Sequence, residues 1–359
     1  MKEILRTADE SSPVAVSPSP ERPLALRIWL WCVAAMIFAI VVVGGATRLT
    51  ESGLSITEWK PISGIIPPLS QQGWLGEFEK FKQIPQYNAI FSSMDLSGFK
   101  FIFFWEFSHR LLARSIGVVV GVPLFIFWLR KMIPQGYLLK LIGLLALVGF
   151  EGVLGWWMVS SGLVDRIDVA QERLAAHLTV ASFAFALTVH LATSLKPSGA
   201  AAVEADAGLR RFAGVMIALT FVQIFLGALV AGLRAGRAFN TWPLMDGDIV
   251  PAGLLALEPL WRNFLDNIAL VQFQHRFVAY VLFGLALVQV LFTFLRLGTG
   301  RIFRRALHVA ALVVVQAGLG ITTLVLVVPL WAALLHQAFA MIVLASVVRH
   351  RAQLVREAS

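Results

Sequence analysis

The first long apolar stretch of the chain covers residues 26–47 and reads LRIWLWCVAAMIFAIVVVGGAT. Arg27 is its only charged residue, and a run of about 20 residues is the length that an α-helix needs to cross a bilayer. Seven further stretches of this kind follow, at 99–129, 138–160, 170–194, 211–232, 267–295, 305–328 and 330–348. We therefore expect an all-α polytopic membrane protein with eight transmembrane helices.

The composition excludes a soluble globular protein. Of the 359 residues, 58% are hydrophobic and 14% are charged, whereas an average soluble protein is about a quarter charged. Cys32 is the only cysteine and lies inside the first apolar stretch, which excludes disulfides and thiolate metal clusters. Any metal site must therefore use histidine or carboxylate ligands.

The net charge of +9 is explained by the basic residues of the short connections and the chain ends. These residues are Arg22, Arg27, Arg130, Lys131, Lys140, Lys196, Arg210, Arg211, Arg296, Arg301, Arg304, Arg305, Arg349, Arg351 and Arg356. Because basic connections face the cytoplasm, we expect both termini on that side and no nucleic-acid partner. The long loops 48–98 and 233–266 would face the opposite side.

The two halves of the chain resemble each other. The matching features are Trp59 and Gly64 with Trp242 and Gly247, His109-Arg110 with His275-Arg276, and residues 151–155 (EGVLG) with 316–320 (QAGLG). Four spans per half predict two pseudo-symmetric four-helix bundles, related by an axis along the membrane normal.

These boundaries divide the chain into five segments. We expect a disordered cytoplasmic tail at 1–23, an N-terminal four-helix half at 24–195, a cytoplasmic linker at 196–210, a C-terminal four-helix half at 211–350 and a cytoplasmic tail at 351–359.

Four of the seven histidines lie at a similar depth, about seven to ten residues inside the outer ends of alternate spans; they are His109, His177, His275 and His336. At 1.5 Å per residue this depth is roughly 10–15 Å. An imidazole in the membrane normally faces the bundle interior and has a partner. Paired imidazoles without thiolates predict haem iron as that partner, and interhelical hydrogen bonding is the alternative. His190 lies near the cytoplasmic end of the fourth span, where we expect snorkelling or a contact with a lipid head group. His308 and His350 lie next to cytoplasmic basic residues, and we expect both at the surface.

Arginines accompany these histidines. Arg110 and Arg276 follow His109 and His275 directly, whereas Arg48 and Arg234 mark the outer ends of the first and fifth spans. Guanidinium groups suit the anionic haem propionates. Snorkelling to the membrane interface is the alternative, above all for Arg48 and Arg234.

One acid distinguishes the two halves. Glu106 precedes His109 by three residues and should share its helix face, whereas the corresponding residue in the second half is Gln272. An acid at this depth indicates a function: a proton acceptor, a stabilising charge, or an ion-pair partner of Arg110 or Arg114. We expect the half with this acid to host the reaction and the other half to carry electrons.

Three further polar side chains precede glycines in the spans. Glu151 corresponds to Gln316, and Gln223 precedes Gly227 in the fifth span. We expect these side chains to make polar contacts between closely packed helices.

Several motifs strongly resemble the haem A synthase family. They are residues 44–50 (GGATRLT), 52–55 (SGLS), 106–110 (EFSHR), 240–247 (NTWPLMDG) and 274–276 (QHR), and the resemblance extends from about residue 25 to residue 350. It implies an oxidoreductase that converts haem O to haem A, for terminal oxidase assembly, by oxidising a ring methyl to a formyl group.

The resemblance also implies roles for individual residues. His275 and His336 would be the axial ligands of a resident haem b, and His109 and His177 would lie around the iron of the substrate haem. Glu106 would be the essential glutamate of a Glu-x-x-His-Arg motif. The chain resembles the branch of the family that has no paired outer-loop cysteines.

The implied location is a bacterial inner membrane, with the haem sites in its outer half. The implied partners are haem O, haem A, membrane lipid, an unidentified electron donor, haem O synthase and oxidase assembly factors. Two other classes of protein would also use four such histidines: a cytochrome b-type electron carrier and a haem delivery or transport protein. The identity of the extracted haem would separate them.

Overall fold

The computed structural model describes residues 21–195 and 207–357. The described part contains eight long helices: α1 Glu21–Leu49, α2 Leu96–Leu129, α3 Leu138–Ser160, α4 Gln171–Ser194, α5 Ala207–Gly232, α6 Ile268–Leu297, α7 Arg301–Val325 and α8 Leu330–Glu357. All eight are long and apolar enough to cross a membrane. The prediction of an all-α membrane protein with eight spans is confirmed.

Three helices extend beyond the predicted spans, into the segments that we assign to the tails and the linker. Helix α1 begins at Glu21 and α8 continues to Glu357, so residues 21–23 and 351–357 are helical, as are residues 207–210 at the start of α5. The end of α8 contains no glycine or proline, and arginine, glutamine and glutamate favour helix, so the helix continues beyond its apolar part. Residues 1–20, 196–206 and 358–359 lie outside the described residues.

Each half forms a closed ring of four helices. Helix α1 packs against α2 and α4, and α3 packs against the same two; α5, α6, α7 and α8 repeat this arrangement. The halves meet through the pairs α1–α8, α4–α5 and α4–α8. Two bundles related by a twofold axis would give this pairing, and the twofold relation itself stays a prediction.

The outer loop before α2 carries a short helix, Gln71–Phe81, whose first turn is capped by Ser70. The Ser70 Oγ accepts a hydrogen bond from the Gly73 N–H, a common device at helix starts. Trp74 and Phe78 are buried on the helix and pack against Phe103 and Phe99 of α2. The loop is thereby fixed over the outer end of the first half.

The two halves approach closely where α4 begins and α5 ends. A Cβ added to Gly232 would lie 2.6 Å from the Cβ and 2.9 Å from the Cα of Gln171. No real Cβ tolerates such distances, and a backbone atom cannot rotate away. This position therefore requires glycine.

Gly232→Ala is expected to lower the thermal midpoint of the detergent-solubilised protein, because overpacking a tight contact costs about 1–3 kcal/mol. Gly284→Ala in α6 is the matched control, since its Cβ would meet nothing within 4 Å and alanine favours helix. Thermal unfolding followed by circular dichroism tests the pair. Equal midpoints for both variants would show that α4 and α5 are not held at this distance.

Candidate functional site

Each of the four candidate ligands, His109, His177, His275 and His336, packs against a glycine of a neighbouring helix. The nearest ring atom lies 3.0 Å from a Cβ built at Gly44 for His109, 3.3 Å at Gly155 for His177, 3.1 Å at Gly227 for His275 and 2.9 Å at Gly320 for His336. The histidines are on α2, α4, α6 and α8, and the glycines are on α1, α3, α5 and α7. A side chain at these glycines would press on the imidazole, so glycine allows the ring to pack against helix backbone.

The two histidines of each half lie on diagonally placed helices. In the second half, α6 and α8 both pack against α5 and α7, and the rings of His275 and His336 are within electrostatic range of each other. The same holds for His109 and His177 between α2 and α4. The pairing of the two histidines of each half around an iron stays a prediction.

Two amides contact the second-half histidines. The Gln223 Nε2 lies 3.0 Å from the His275 Nδ1, and the Gln316 Nε2 lies 3.2 Å from the His336 Nδ1. Both amide nitrogens also donate to the backbone carbonyl of the same histidine, at 3.1 Å. The amide oxygens are buried and have no partner among the described residues.

These features fit a haem held between α6 and α8. The available ligands are two imidazoles, which can bind iron in their neutral form, and there is no thiolate. This combination suits haem iron. The two amides hold the backbone of both histidines, because each donates to the carbonyl of its histidine. The Nε of Arg276, one residue after His275, is buried and without a partner in the described structure, so a donor is available for an anionic group.

The polar groups beside the histidines are different in the first half. A carboxylate oxygen of Glu151, Oε2, lies 2.6 Å from the His177 Nδ1. In the part of the chain that the structure describes, no polar side chain hydrogen-bonds the ring of His109, because Ile40 stands one turn before Gly44 where Gln223 stands before Gly227. The two halves therefore share the histidine–glycine frame and differ in the groups around it.

Glu106 is 2% exposed and all its hydrogen bonds are internal. Its Oε1 accepts from the Arg110 Nε at 2.9 Å and Nη2 at 2.6 Å. Its Oε2 accepts from the Ser55 hydroxyl at 2.8 Å and the Ile56 N–H at 2.7 Å. Of the two expected ion-pair partners, Arg110 is the one observed, whereas Arg114 donates to the carbonyls of Lys60 and Pro61. The carboxylate thus joins the outer loop to α2.

At the position that corresponds to Glu106, the second half holds its long loop with a neutral amide and a neighbouring cation. The Gln272 Nε2 donates to the Phe239 carbonyl at 2.7 Å, and the Arg276 Nη2 donates to the same oxygen at 3.1 Å. Glu106 and Gln272 therefore occupy similar positions, but only the first half places a negative charge there.

Arg48 and Arg234 share two acids across the junction of the halves. Arg234 lies 2.8 Å from Glu51 and 3.0 Å from Asp168, and Arg48 lies 3.4 Å and 3.6 Å from the same two carboxylates. Burial raises the pKa of Glu51, although the neighbouring arginines lower it. The role of these arginines as propionate donors stays a prediction, and their observed partners are carboxylates of the protein.

Sequence reasoning assigned Glu151, Gln223 and Gln316 to contacts among glycines, and the structure places each of them against a histidine. The sequence contains a pattern that could have predicted these contacts, because each of the three residues stands four residues before one of the glycines that contact the histidines. The expectation that His350 lies at the surface is wrong: the residue is 3% exposed, because α8 continues and packs against the second bundle. His308 is exposed, as expected.

Residues 27–348 match the family model COX15-CtaA, described as "Cytochrome oxidase assembly protein". The chain is 60% identical to the haem A synthase of Beijerinckia indica over 330 residues, which cover 91% of this chain and 92% of the relative. It is 51% identical to the haem A synthase of Mesorhizobium japonicum (90% and 89% covered). It is also 51% identical to that of Azorhizobium caulinodans (91% and 93% covered).

Proposed function

The chain belongs to the haem A synthase family of cytochrome oxidase assembly proteins, and from this membership we propose that it oxidises the ring methyl of haem O to the formyl group of haem A. It is a membrane oxidoreductase whose product serves terminal oxidase assembly. One observation carries the assignment of the reaction to the first half. Both halves hold a histidine pair against glycines, and among residues 21–195 and 207–357 only the first half has carboxylates beside the pair: Glu151 lies 2.6 Å from His177, and Glu106 precedes His109 by three residues on α2.

In this proposal, His275 and His336 hold a resident haem b in the second half, which supplies electron transfer when bound. Gln223 and Gln316 hold the two histidines through hydrogen bonds to their backbone carbonyls and lie beside the rings. Arg276 is the best placed propionate donor there, because its Nε is buried and unpartnered within the described residues. Arg48 has a buried Nε without a partner in the described residues, but its other nitrogens lie near Glu51 and Asp168. Arg110 and Arg234 are also paired with carboxylates.

The first half binds haem O, with His109 and His177 around the iron of this substrate. Glu106 is proposed as the catalytic acid–base group of the site, one helical turn from His109. Arg110, Ser55 and the Ile56 N–H fix the orientation of its carboxylate, and the loop that supplies two of these groups covers the site from the outside. Preorganised hydrogen bonds of this kind avoid a cost of reorganisation during the reaction.

The protein is an integral membrane protein, and we propose a bacterial inner membrane, cytoplasmic termini and haem sites in the outer half of the bilayer. The short basic connections and the depth of the four histidines support this orientation. The partners are haem O and haem A, membrane lipid and an electron donor, with haem O synthase as the supplier and oxidase assembly factors as the recipients.

The test is expression in a bacterial host that makes haem O and no haem A. Haems extracted from its membranes are separated and identified by mass. We expect haem A in cells with the chain and none in cells with the empty vector. Haem O and protohaem alone, with the chain inserted and abundant, would instead favour an electron carrier or a haem delivery protein.

A further inference from the structure

The first outer loop contains a segment, residues 56–61, that runs along the side of α2. Two arginines of α2, Arg110 and Arg114, each donate two hydrogen bonds to backbone carbonyls of this segment, at 2.7–2.9 Å. The acceptors are the carbonyls of Ile56, Glu58, Lys60 and Pro61. Loop segment 56–61 is therefore fixed to α2 by its backbone.

The same segment reaches α3 through an aromatic side chain. Trp59 stacks on Trp156 of α3, with ring centroids 5.7 Å apart and an angle of 20° between the planes. Trp156 directly follows Gly155, against which the ring of His177 packs, so the stack lies at the level of this histidine. Trp59 is 48% exposed. Loop segment 56–61 thus extends from α2 to α3 beside the first-half histidines.

The second half has a different arrangement at the corresponding place. Trp242 corresponds to Trp59, but its Nε1 donates to the Tyr280 hydroxyl of α6 at 3.2 Å. The residue that corresponds to Trp156 is Ile321, directly after Gly320. Within the described residues, α6 and α7 pack extensively, whereas α2 and α3 have the least extensive contact of all neighbouring helices in the two rings. The aromatic stack therefore stands where the packing between neighbouring helices is weakest.

We propose that haem O enters the first half laterally from the lipid, between α2 and α3, and that the stack of Trp59 on Trp156 closes this entrance. The proposal rests on the proposed function, since it takes the first half as the haem O site. Haem O is a largely apolar porphyrin, and apolar linings are typical of sites for such ligands. Leu111, one turn before Arg114, and Val153, one turn before Trp156, are 38% and 51% exposed and would flank the entrance.

The contacts of the loop segment indicate which side opens. The stack of Trp59 on Trp156 changes an equilibrium constant by up to about tenfold. The hydrogen bonds on the α2 side come from the charged donors Arg110 and Arg114, and such bonds are stronger than neutral ones. Separation of the two indoles is therefore the easier step, and it leaves the segment attached to α2. Loss of the stack should speed both the entry and the exit of haem.

Transfer of ferric protohaem, as the probe, from phosphatidylcholine vesicles to the purified full chain with its resident haem tests the inference. Absorbance after rapid mixing gives the rate of uptake into the first half. Trp59→Ala should raise this rate by up to about tenfold, because the closed state loses its stack. Trp242→Ala is the matched control, and it should leave the rate unchanged because Trp242 bonds to α6 alone of the two helices at its place.

A cross-link gives the opposite test in the same assay. Trp59→Cys and Trp156→Cys are combined in a Cys32→Ser background and joined with a bifunctional thiol reagent that reduction cleaves. We expect uptake to stop after cross-linking and to return after reduction, with the spectrum of the resident haem unchanged. If Trp59→Ala does not fold, the cross-link decides.

Two results would overturn the inference, and they have different meanings. Normal uptake of the probe that neither Trp59→Ala nor the cross-link alters would reject only the entrance between α2 and α3. Absence of a second haem from the wild-type chain at saturating probe would reject the first-half haem site, and with it both the proposed function and the entrance.

Discussion

Replacing His275 or His336 with alanine is expected to remove the resident haem b from the purified chain. Either variant removes one of the two imidazoles that would hold the iron. His109→Ala and His177→Ala should keep this haem and abolish haem A formation. The optical spectra of the four variants, at equal protein concentration, measure the effect.

These four variants are matched in predicted depth and in local packing, because each histidine packs against a glycine of the adjacent helix. General damage by a cavity would therefore affect them alike. Equal loss of the resident haem from all four would contradict the division of the chain into a haem b half and a substrate half. Loss restricted to His275→Ala and His336→Ala supports it.

Glu106→Gln is expected to abolish most haem A formation while the protein inserts normally, keeps its haem b spectrum and still binds haem O. The substitution removes both the negative charge and the capacity to exchange a proton. We expect haem O or a partly oxidised alcohol to accumulate, and mass spectrometry of the extracted haems measures this. Wild-type levels of haem A in the Glu106→Gln variant would show that Glu106 is only a structural partner of Arg110.

The structure adds a necessary control, because Glu106 also holds the outer loop. Glutamine would weaken the contact with Arg110 and leave one of the donors, Ser55 or the Ile56 N–H, poorly paired. Ser55→Ala removes a loop contact and keeps the charge. If anchoring of the loop were the main role, Ser55→Ala would lose a large part of the activity; if the charge or proton is essential, it should retain most of it.

The eight spans could be predicted because the thickness of the bilayer requires long apolar runs, and the chain offers eight of them. Helix geometry alone predicted a common depth for the four histidines, with two of them in each half. The structure places the rings of His109 and His275 against glycines of neighbouring helices.

The hydrogen bonds around these residues could not be predicted in the same way. The contact of Glu106 with Ser55 joins residues 51 positions apart, and it depends on how the outer loop folds back over α2. The ion pairs of Arg48 and Arg234 with Asp168 depend on how the two halves meet. The burial of His350 depends on the continuation of α8, whereas its basic neighbours alone indicated the surface.

A haem inventory of the purified wild-type chain tests the central claim most directly. Haems are extracted from a known amount of protein, made in cells that supply haem O, and are identified by mass and counted per polypeptide. We expect one tightly held protohaem per chain together with haem A or haem O in the remaining site. Two protohaems per chain, with no haem A or haem O in the protein or its membranes, would contradict it and identify a cytochrome b-type carrier.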